Sequence, residues 1–266
     1  MISKQSTEIH PTAIVSPNAT IGKGVKIDAY VLIGDDVVVG DETLIGPHSR
    51  FDGPTIIGKR NRFTGHCSVG TPPQDLKYKG ERTSLEIGDD NLVREFVTLN
   101  RGTESGLGKT LIGSNNLLMT AVHVAHDCIV GSNVIMANAA TLAGHVLIED
   151  HSNVGAFTSV HQFCRVGQYA FIGGYSVVTR DALPYIKTVG ARGDANIYGI
   201  NTIGLDRKGF SREQITALKS AYRILFHSKG LSLKEKIEKV RQSGPISTEV
   251  EILVDFMENS ERGFTR

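Results

Sequence analysis

From Ile9 onward an aliphatic residue or phenylalanine returns every sixth position: Val15, Ile21, Ile27, Ile33, Val39, Ile45, Phe51, Ile57, Phe63 and Val69. The register breaks, resumes at Ile87, Val93 and Leu99, and breaks again. It then runs without a miss through Ile112, Leu118, Val124, Val130, Met136, Leu142, Ile148, Val154, Val160, Val166, Ile172 and Val178. Glycine often follows the aliphatic residue, as in Ile33-Gly34 and Val130-Gly131, and a small residue stands four positions on, as at Ala13, Thr43, Ser49, Cys128, Ala140 and Ser152. An amphipathic helix repeats every 3.6 residues and loses phase with such a pattern within two turns. A hexad is instead the unit of a parallel β-helix, a short strand and a turn with the aliphatic and small residues inward. Three hexads close one triangular coil of about 18 residues, and stacked coils, roughly ten here, bury one continuous core.

The two breaks mark excursions from the prism, at 70–86 and 101–111. Both are polar, and insertions on a rigid repeat scaffold tend to carry function. After about Asp181 the period stops. A glycine-rich connector leads to helical patterns, with capping boxes expected at Ser211/Gln214, Ser232/Glu235 and Thr248/Glu251. Ile215, Leu218, Tyr222 and Leu225 fall at helical spacing as a packing surface. The expected organisation is therefore an all-β parallel β-helix over 1–189 and a small all-α C-terminal domain over 190–266.

Composition agrees with a repetitive, narrow core: 29 of 266 residues are glycine, tryptophan is absent and aromatics reach 6%. Charged residues at 21% and a net charge of +1 exclude a disordered or supercharged chain. No run of about 18 apolar residues spans a membrane, and the N-terminal residues lack an apolar signal core, so a cytoplasmic protein is expected. Cys67, Cys128 and Cys164 are far apart in sequence and take the small inward position, as inert core residues rather than a disulfide or metal framework.

Charge is uneven. Residues 207–241 hold ten Lys/Arg against three Asp/Glu, a net +7, and Lys208, Arg212, Lys219 and Arg223 recur near helical spacing as a basic stripe. This is either a solvated helix face or a dock for an acidic partner. Nucleic acid is not expected, because no recognised binding motif or aromatic platform accompanies the charge.

Folding the chain into coils brings histidines together. His126 and His145 lie one coil apart and one residue out of column, His161 is two coils from His126, and His123 is its near neighbour. Three readings stand for the cluster: hydrated polar corners, a zinc site, or a neutral imidazole acting as general base. Asp127 beside His126 and Gln162 beside His161 supply polar partners. No outward cysteine and no carboxylate at a recognisable metal spacing joins them, so no metal is expected.

At VHVAHDCIVG (122–131), ATLAGHV (140–146) and SVHQFCRVG (159–167) the sequence resembles the acyl-carrier-protein-dependent UDP-N-acetylglucosamine O-acyltransferases, which carry out the first acylation of lipid A synthesis. QDLKYKGE (74–81), TLNRGT (98–103) and RKGFSREQI (207–215) match as well, so the resemblance covers nearly the whole chain. It implies a left-handed coil sense, no cofactor, and a homotrimer with sites in the grooves between subunits. The partners implied are UDP-N-acetylglucosamine and an (R)-3-hydroxyacyl-acyl carrier protein, with direct attack of the sugar 3-hydroxyl on the thioester.

Residue by residue, the resemblance implies His126 as general base, Asp127 as its orienting carboxylate and the Gly144 N–H as oxyanion donor. His145 falls near the acyl hydroxyl; His123, His161 and Gln162 fall on the sugar and the pantetheine region. Gln74, Asp75, Lys77, Asn201 and Arg207 fall on the nucleotide sugar, and Gly174 leaves room for a longer acyl chain. The basic stripe of Lys208, Arg212, Lys219 and Arg223 suits the acidic carrier protein. Ile203 stands where the family often has glutamate, which removes one polar contact to the nucleotide. The related N-acyltransferases carry an additional N-terminal domain, for which hexads beginning at Ile9 leave no room. Other readings are transfer to an amino-sugar analogue of the nucleotide, a γ-carbonic-anhydrase-like zinc solenoid, and a non-catalytic scaffold for carrier protein.

Overall fold

The computed structural model describes residues 6–193, 195–244 and 246–266. Short parallel strands line three faces of a left-handed prism. Face A starts at Glu8–Ile9, face B at Ile14–Val15 and face C at Thr20–Ile21; among the described residues they hold 11, 9 and 8 strands, the last of face A antiparallel. Each strand pairs with the one a coil above and below it, as in Ile129↔Leu147 and Val130↔Ile148. The hexad aliphatics point inward and are fully buried from Ile27 onward. Ile9 is 47% exposed because no coil covers it among the described residues. Burying one such side chain contributes about 1.5–3 kcal/mol, repeated at every strand of the column. The cysteines are buried in the same core, and burial pushes the Cys128 thiol up to about 12 and Cys164 to about 11.

Corners turn through left-handed backbone in non-glycine residues, among them Asp127 at φ 59°, His145 at φ 62° and Phe163 at φ 63°. Stacked side chains recur along these columns. Tyr30, His48, His66 and Phe96 form a ladder with ring centroids 5.0–5.1 Å apart where face A meets face B. Inside the prism a column of buried asparagines is paired: Asn91 Nδ2 donates to Asn61 Oδ1 and Gly113 O, and Asn116 Nδ2 donates to Gly131 O.

Both excursions are shorter than the polar pattern indicates. Strands Ser68–Thr71 and Ser84–Ile87 take the ends of the first, and Lys109–Ile112 the end of the second, leaving 72–83 and 101–108 outside the prism. The reason is that Glu86 and Leu111 are outward residues of true strands, whose polarity or register alone does not mark them as loop. Across the first excursion the step between stacked residues rises from 18 to 30, and across the second to 25. Arg101 pins the first excursion to the prism, donating to Gly53 O, Gly70 O and the Tyr78 hydroxyl.

The helical part is preceded by a hairpin. Strand Ile186–Val189 extends face A, and Asn196–Ile200, read from the sequence as connector, pairs antiparallel to it. Among the described residues four helices follow: α1 (Thr202–Arg207), α2 (Arg212–His227), α3 (Leu233–Gln242) and α4 (Thr248–Glu258). Their core gathers Leu183, Tyr185 and Ile186 with Leu205, Ile215, Leu218, Leu225, Ile237 and Leu253. The capping boxes at Ser211/Gln214 and Ser232/Glu235 form. The third does not: Ser247 is the N-cap, accepting from Val250 N–H, and Thr248 begins the helix proper.

Candidate active site

His126 and Asp127 sit where face B turns into face C, between strands His123–Val124 and Ile129–Val130. Consecutive residues normally diverge, but the left-handed backbone at Asp127 folds its side chain back, and His126 Nδ1 meets Asp127 Oδ2 at 2.7 Å. Asp127 is 1% exposed and fully engaged. Oδ1 accepts Thr103 N–H (3.0 Å) and Leu107 N–H (2.9 Å), and Oδ2 accepts the Thr103 hydroxyl (2.6 Å). Burial pushes this carboxyl up, but the donors from Thr103 and His126 outweigh it and hold it below the ordinary carboxylate value. An ionised Asp127 therefore takes a proton-bearing Nδ1 and leaves His126 Nε2 as a free acceptor.

Gly144 lies one coil up. A Cβ built there would stand 2.6 Å from His126 Cε1, so only glycine lets the ring lie across this corner. The Gly144 N–H makes no hydrogen bond among the described residues. His145 follows, its ring edge-on to His126 (5.2 Å) and stacked on Phe163 (4.5 Å). His123 is held by Thr98 Oγ1 at 2.7 Å. Desolvation lowers the pKa of both His123 and His145, so both are neutral at pH 7. His161 and Gln162, another coil up, are exposed. The first excursion bends toward this corner, since the charge of Asp75 acts on His145. Gln74 and Lys77 beside it are exposed, and Lys77 N–H donates to Asp75 Oδ1.

Sequence reasoning missed the clamp from the second excursion, Thr103 and Leu107, and the partners Thr98 and Phe163. Their signal was available: an excursion of polar residues one coil below the histidines.

A carboxylate does join the histidines, against the expectation from spacing. His126, Asp127 and His145 offer ligand atoms within 4.8 Å of one another. The donor set is a poor fit to a cation, because His126 Nδ1 faces Asp127 and both carboxylate oxygens already accept protein donors.

Other expected residues lie elsewhere on the chain. Gly174 precedes the corner where face A meets face B, its would-be Cβ only 3.2 Å from Ala156 O. Asn201 is 7% exposed and donates through Nδ2 to Tyr169 O, fixing α1 where face C meets face A. Beside it Thr202, Ile203, Asp206, Arg207, Arg212, Thr216 and Lys219 line one cleft of about 370 Å³. Arg207 and part of the basic stripe thus share a surface; Lys208 and Arg223 are exposed nearby. No histidine of the BC corner lines that cleft.

Residues 181–265 match the family model described as UDP N-acetylglucosamine O-acyltransferase, domain 2, and 18–53 match the bacterial transferase hexapeptide model. Among curated relatives, the acyl-[acyl-carrier-protein]–UDP-N-acetylglucosamine O-acyltransferase of Thermodesulfovibrio yellowstonii is 48% identical over 97% of this chain and 99% of its own length. That of Myxococcus xanthus is 47% identical over 97% and 99%. Among solved structures, LpxA from Acinetobacter baumannii is 44% identical with a TM-score of 0.92, covering 97% of this chain and 99% of that one. LpxA from Bacteroides fragilis, a UDP-N-acetylglucosamine acyltransferase, gives 44% and 0.93, covering 97% and 100%.

Proposed function

The chain belongs to the acyl-[acyl-carrier-protein]–UDP-N-acetylglucosamine O-acyltransferase family, and from that premise we propose how its own residues run the transfer. It is an acyltransferase that moves an acyl group from the thioester of acyl carrier protein to an oxygen of UDP-N-acetylglucosamine. The fuller reading is transfer of an (R)-3-hydroxyacyl group to the sugar 3-hydroxyl, opening lipid A synthesis in the cytoplasm, with no cofactor beyond the donor's own pantetheine thioester.

His126 Nε2 removes the proton from the 3-hydroxyl as its oxygen attacks the thioester carbon. Asp127 fixes the tautomer and stabilises the imidazolium that forms. The Gly144 N–H donates to the oxyanion of the tetrahedral intermediate. Collapse expels the carrier thiolate, which takes the proton back from His126, so ester and thiol leave with the base restored. The observation that carries this is the 2.7 Å contact of His126 Nδ1 with Asp127 over a glycine that admits the ring. His123, His145, His161 and Gln162 surround the reacting groups, with Gln74, Asp75 and Lys77 on the sugar nucleotide.

Arg207 and Asn201 serve the nucleotide and Gly174 the acyl chain, yet they lie at different corners from His126. Each face between corners is six residues wide, roughly 15–20 Å. One chain does not close such a site; a homotrimer that sets the BC corner of one subunit against a neighbour does. Lys208, Arg212, Lys219 and Arg223 then flank the groove and receive the acidic carrier protein.

The test is turnover with UDP-N-acetylglucosamine and a series of (R)-3-hydroxyacyl carrier proteins. The wild type forms the 3-O-acyl product, and His126→Ala, still folded, loses about 10²–10⁴-fold. A variant retaining more than about a tenth of the activity would remove His126 as the base. Acylation only of a 3-amino analogue would move the acceptor from oxygen to nitrogen.

A further inference from the structure

The BC corner continues past the histidines. Strand Val177–Val178 stacks on Ser159–Val160, so Arg180 stands one level above Gln162 in the column that began at His126. Asp181 follows and is 1% exposed. Its Oδ1 accepts Arg165 N–H (2.8 Å), its Oδ2 the Ser260 hydroxyl (2.8 Å). Its N–H donates to Gly263 O and its carbonyl accepts Thr265 N–H, both at 2.9 Å. Asp181 thus ties residues 260–265 across the end of the catalytic corner through its carboxylate and its backbone, with Phe264 buried beneath.

The middle of this strap carries Arg262. Its guanidinium reaches His161 Nδ1 at 3.4 Å and the Cys164 thiol. The same Nδ1 lies 3.2 Å from the Gln162 carbonyl oxygen, the shorter of the two contacts, so the guanidinium sits beside the ring without a committed acceptor there. Arg262 is exposed and pairs with no carboxylate among the described residues, unlike Arg165 on the prism and Arg241 on α3. Capping the prism explains the strap, since Asp181 and Phe264 do that; it does not explain an unpaired cation held against a histidine of the site.

We propose that Arg262, with Arg180 adding charge at the same level, seats the phosphate of the donor's 4′-phosphopantetheine arm. The inference rests on the carrier-protein reading above. Gly144 and the Arg180 level are two strand spacings apart, roughly 10 Å. With the thioester carbonyl at Gly144, an arm of cysteamine and two amide units running up the corner brings its phosphodiester to this level. The planar fork of arginine matches phosphate oxygens. The diphosphate of the sugar nucleotide is the other source of such oxygens, and it is assigned to Arg207 at another corner.

The experiment compares three donors carrying the same acyl group: acyl carrier protein, acyl-4′-phosphopantetheine and acyl-pantetheine without phosphate. The wild type uses the phosphorylated small donor about tenfold or more better in kcat/KM than the unphosphorylated one. Arg262→Ala brings the two within about twofold of each other, leaves KM for UDP-N-acetylglucosamine unchanged, and weakens use of acyl carrier protein. Arg262→Lys restores part of the preference, which a merely structural role does not predict. Arg262→Gln, which keeps a polar stem on the strap, repeats the loss if the alanine variant folds poorly. A phosphate preference that persists in Arg262→Ala overturns the inference, as does a raised KM confined to the sugar nucleotide. Absence of wild-type turnover with every donor removes the underlying reading and the inference together.

Discussion

At the residue scale the site depends on one backbone angle. Adjacent side chains on a strand point to opposite faces, yet His126 and Asp127 meet because Asp127 turns at φ 59°. Asp127→Asn keeps the size but offers an amide to Nδ1, which no longer requires the useful tautomer. We expect turnover to fall by about 10²–10⁴-fold with both KM values little changed, measured by steady-state kinetics. Acid acts on the same cluster. Desolvation depresses the folded pKa of His123 and His145 below 6.5, so below that value the unfolded chain binds more protons than the folded one. Their contribution to stability is therefore whole at pH 7.5 and falls as pH drops through 6.5. Thermal unfolding at pH 7.5 and 5.5 checks it: the wild type loses more Tm on acidification than His145→Gln. Asp127, depressed in the carboxylate range, is expected to lose its contribution only at lower pH.

At the element scale, each strand is two to four residues long in the prism and has no stability of its own; stacking supplies it. Leu142, fully buried in face B with strands stacked on both sides, reports this. Leu142→Ala is expected to cost about 2–5 kcal/mol, read by denaturant or thermal unfolding, because neighbours above and below hold the cavity open. The α4 cap is a finer test. Ser247 accepts from Val250 N–H at 3.4 Å, whereas Thr248 lies inside the helix. Ser247→Ala should lower stability by about 0.5–2 kcal/mol and Thr248→Ala by much less. The S/T-x-x-E signature occurs at Thr248, but the chain enters the helix one residue earlier.

At the scale of the whole molecule, the residues expected to serve one reaction stand on three corners of one prism. Mixed trimers test whether neighbours share a site. Co-refolded or co-expressed His126→Ala and Arg207→Ala subunits should regain turnover that neither variant has alone, because some grooves then pair an intact base with an intact arginine. No recovery in isolated mixed trimers would place both residues in one subunit's site. Lys219 and Arg223 bear on the encounter with the donor. Reversing both to Glu should raise KM for acyl carrier protein and weaken its salt dependence, while KM for the nucleotide sugar barely moves. Titrations of both substrates at low and high ionic strength measure this.

The six-residue period by itself determined the prism, the inward aliphatic column, the buried cysteines and the gathering of His123, His126, His145 and His161 on one edge. Those follow from spacing, because a coil of fixed length turns sequence separation into position. Where the repeat is interrupted, spacing no longer maps to place. The closing of Thr103 and Leu107 over Asp127, the strand at Asn196–Ile200 and the return of Arg262 to His161 all join residues through loops and long-range pairing. The strap is the extreme case: Arg262 and His161 are 101 residues apart, and nothing periodic connects them. Only the tertiary structure decided these contacts, because hydrogen bonds to buried carboxylates such as Asp127 and Asp181 fix where an irregular segment lands, and no repeat encodes that.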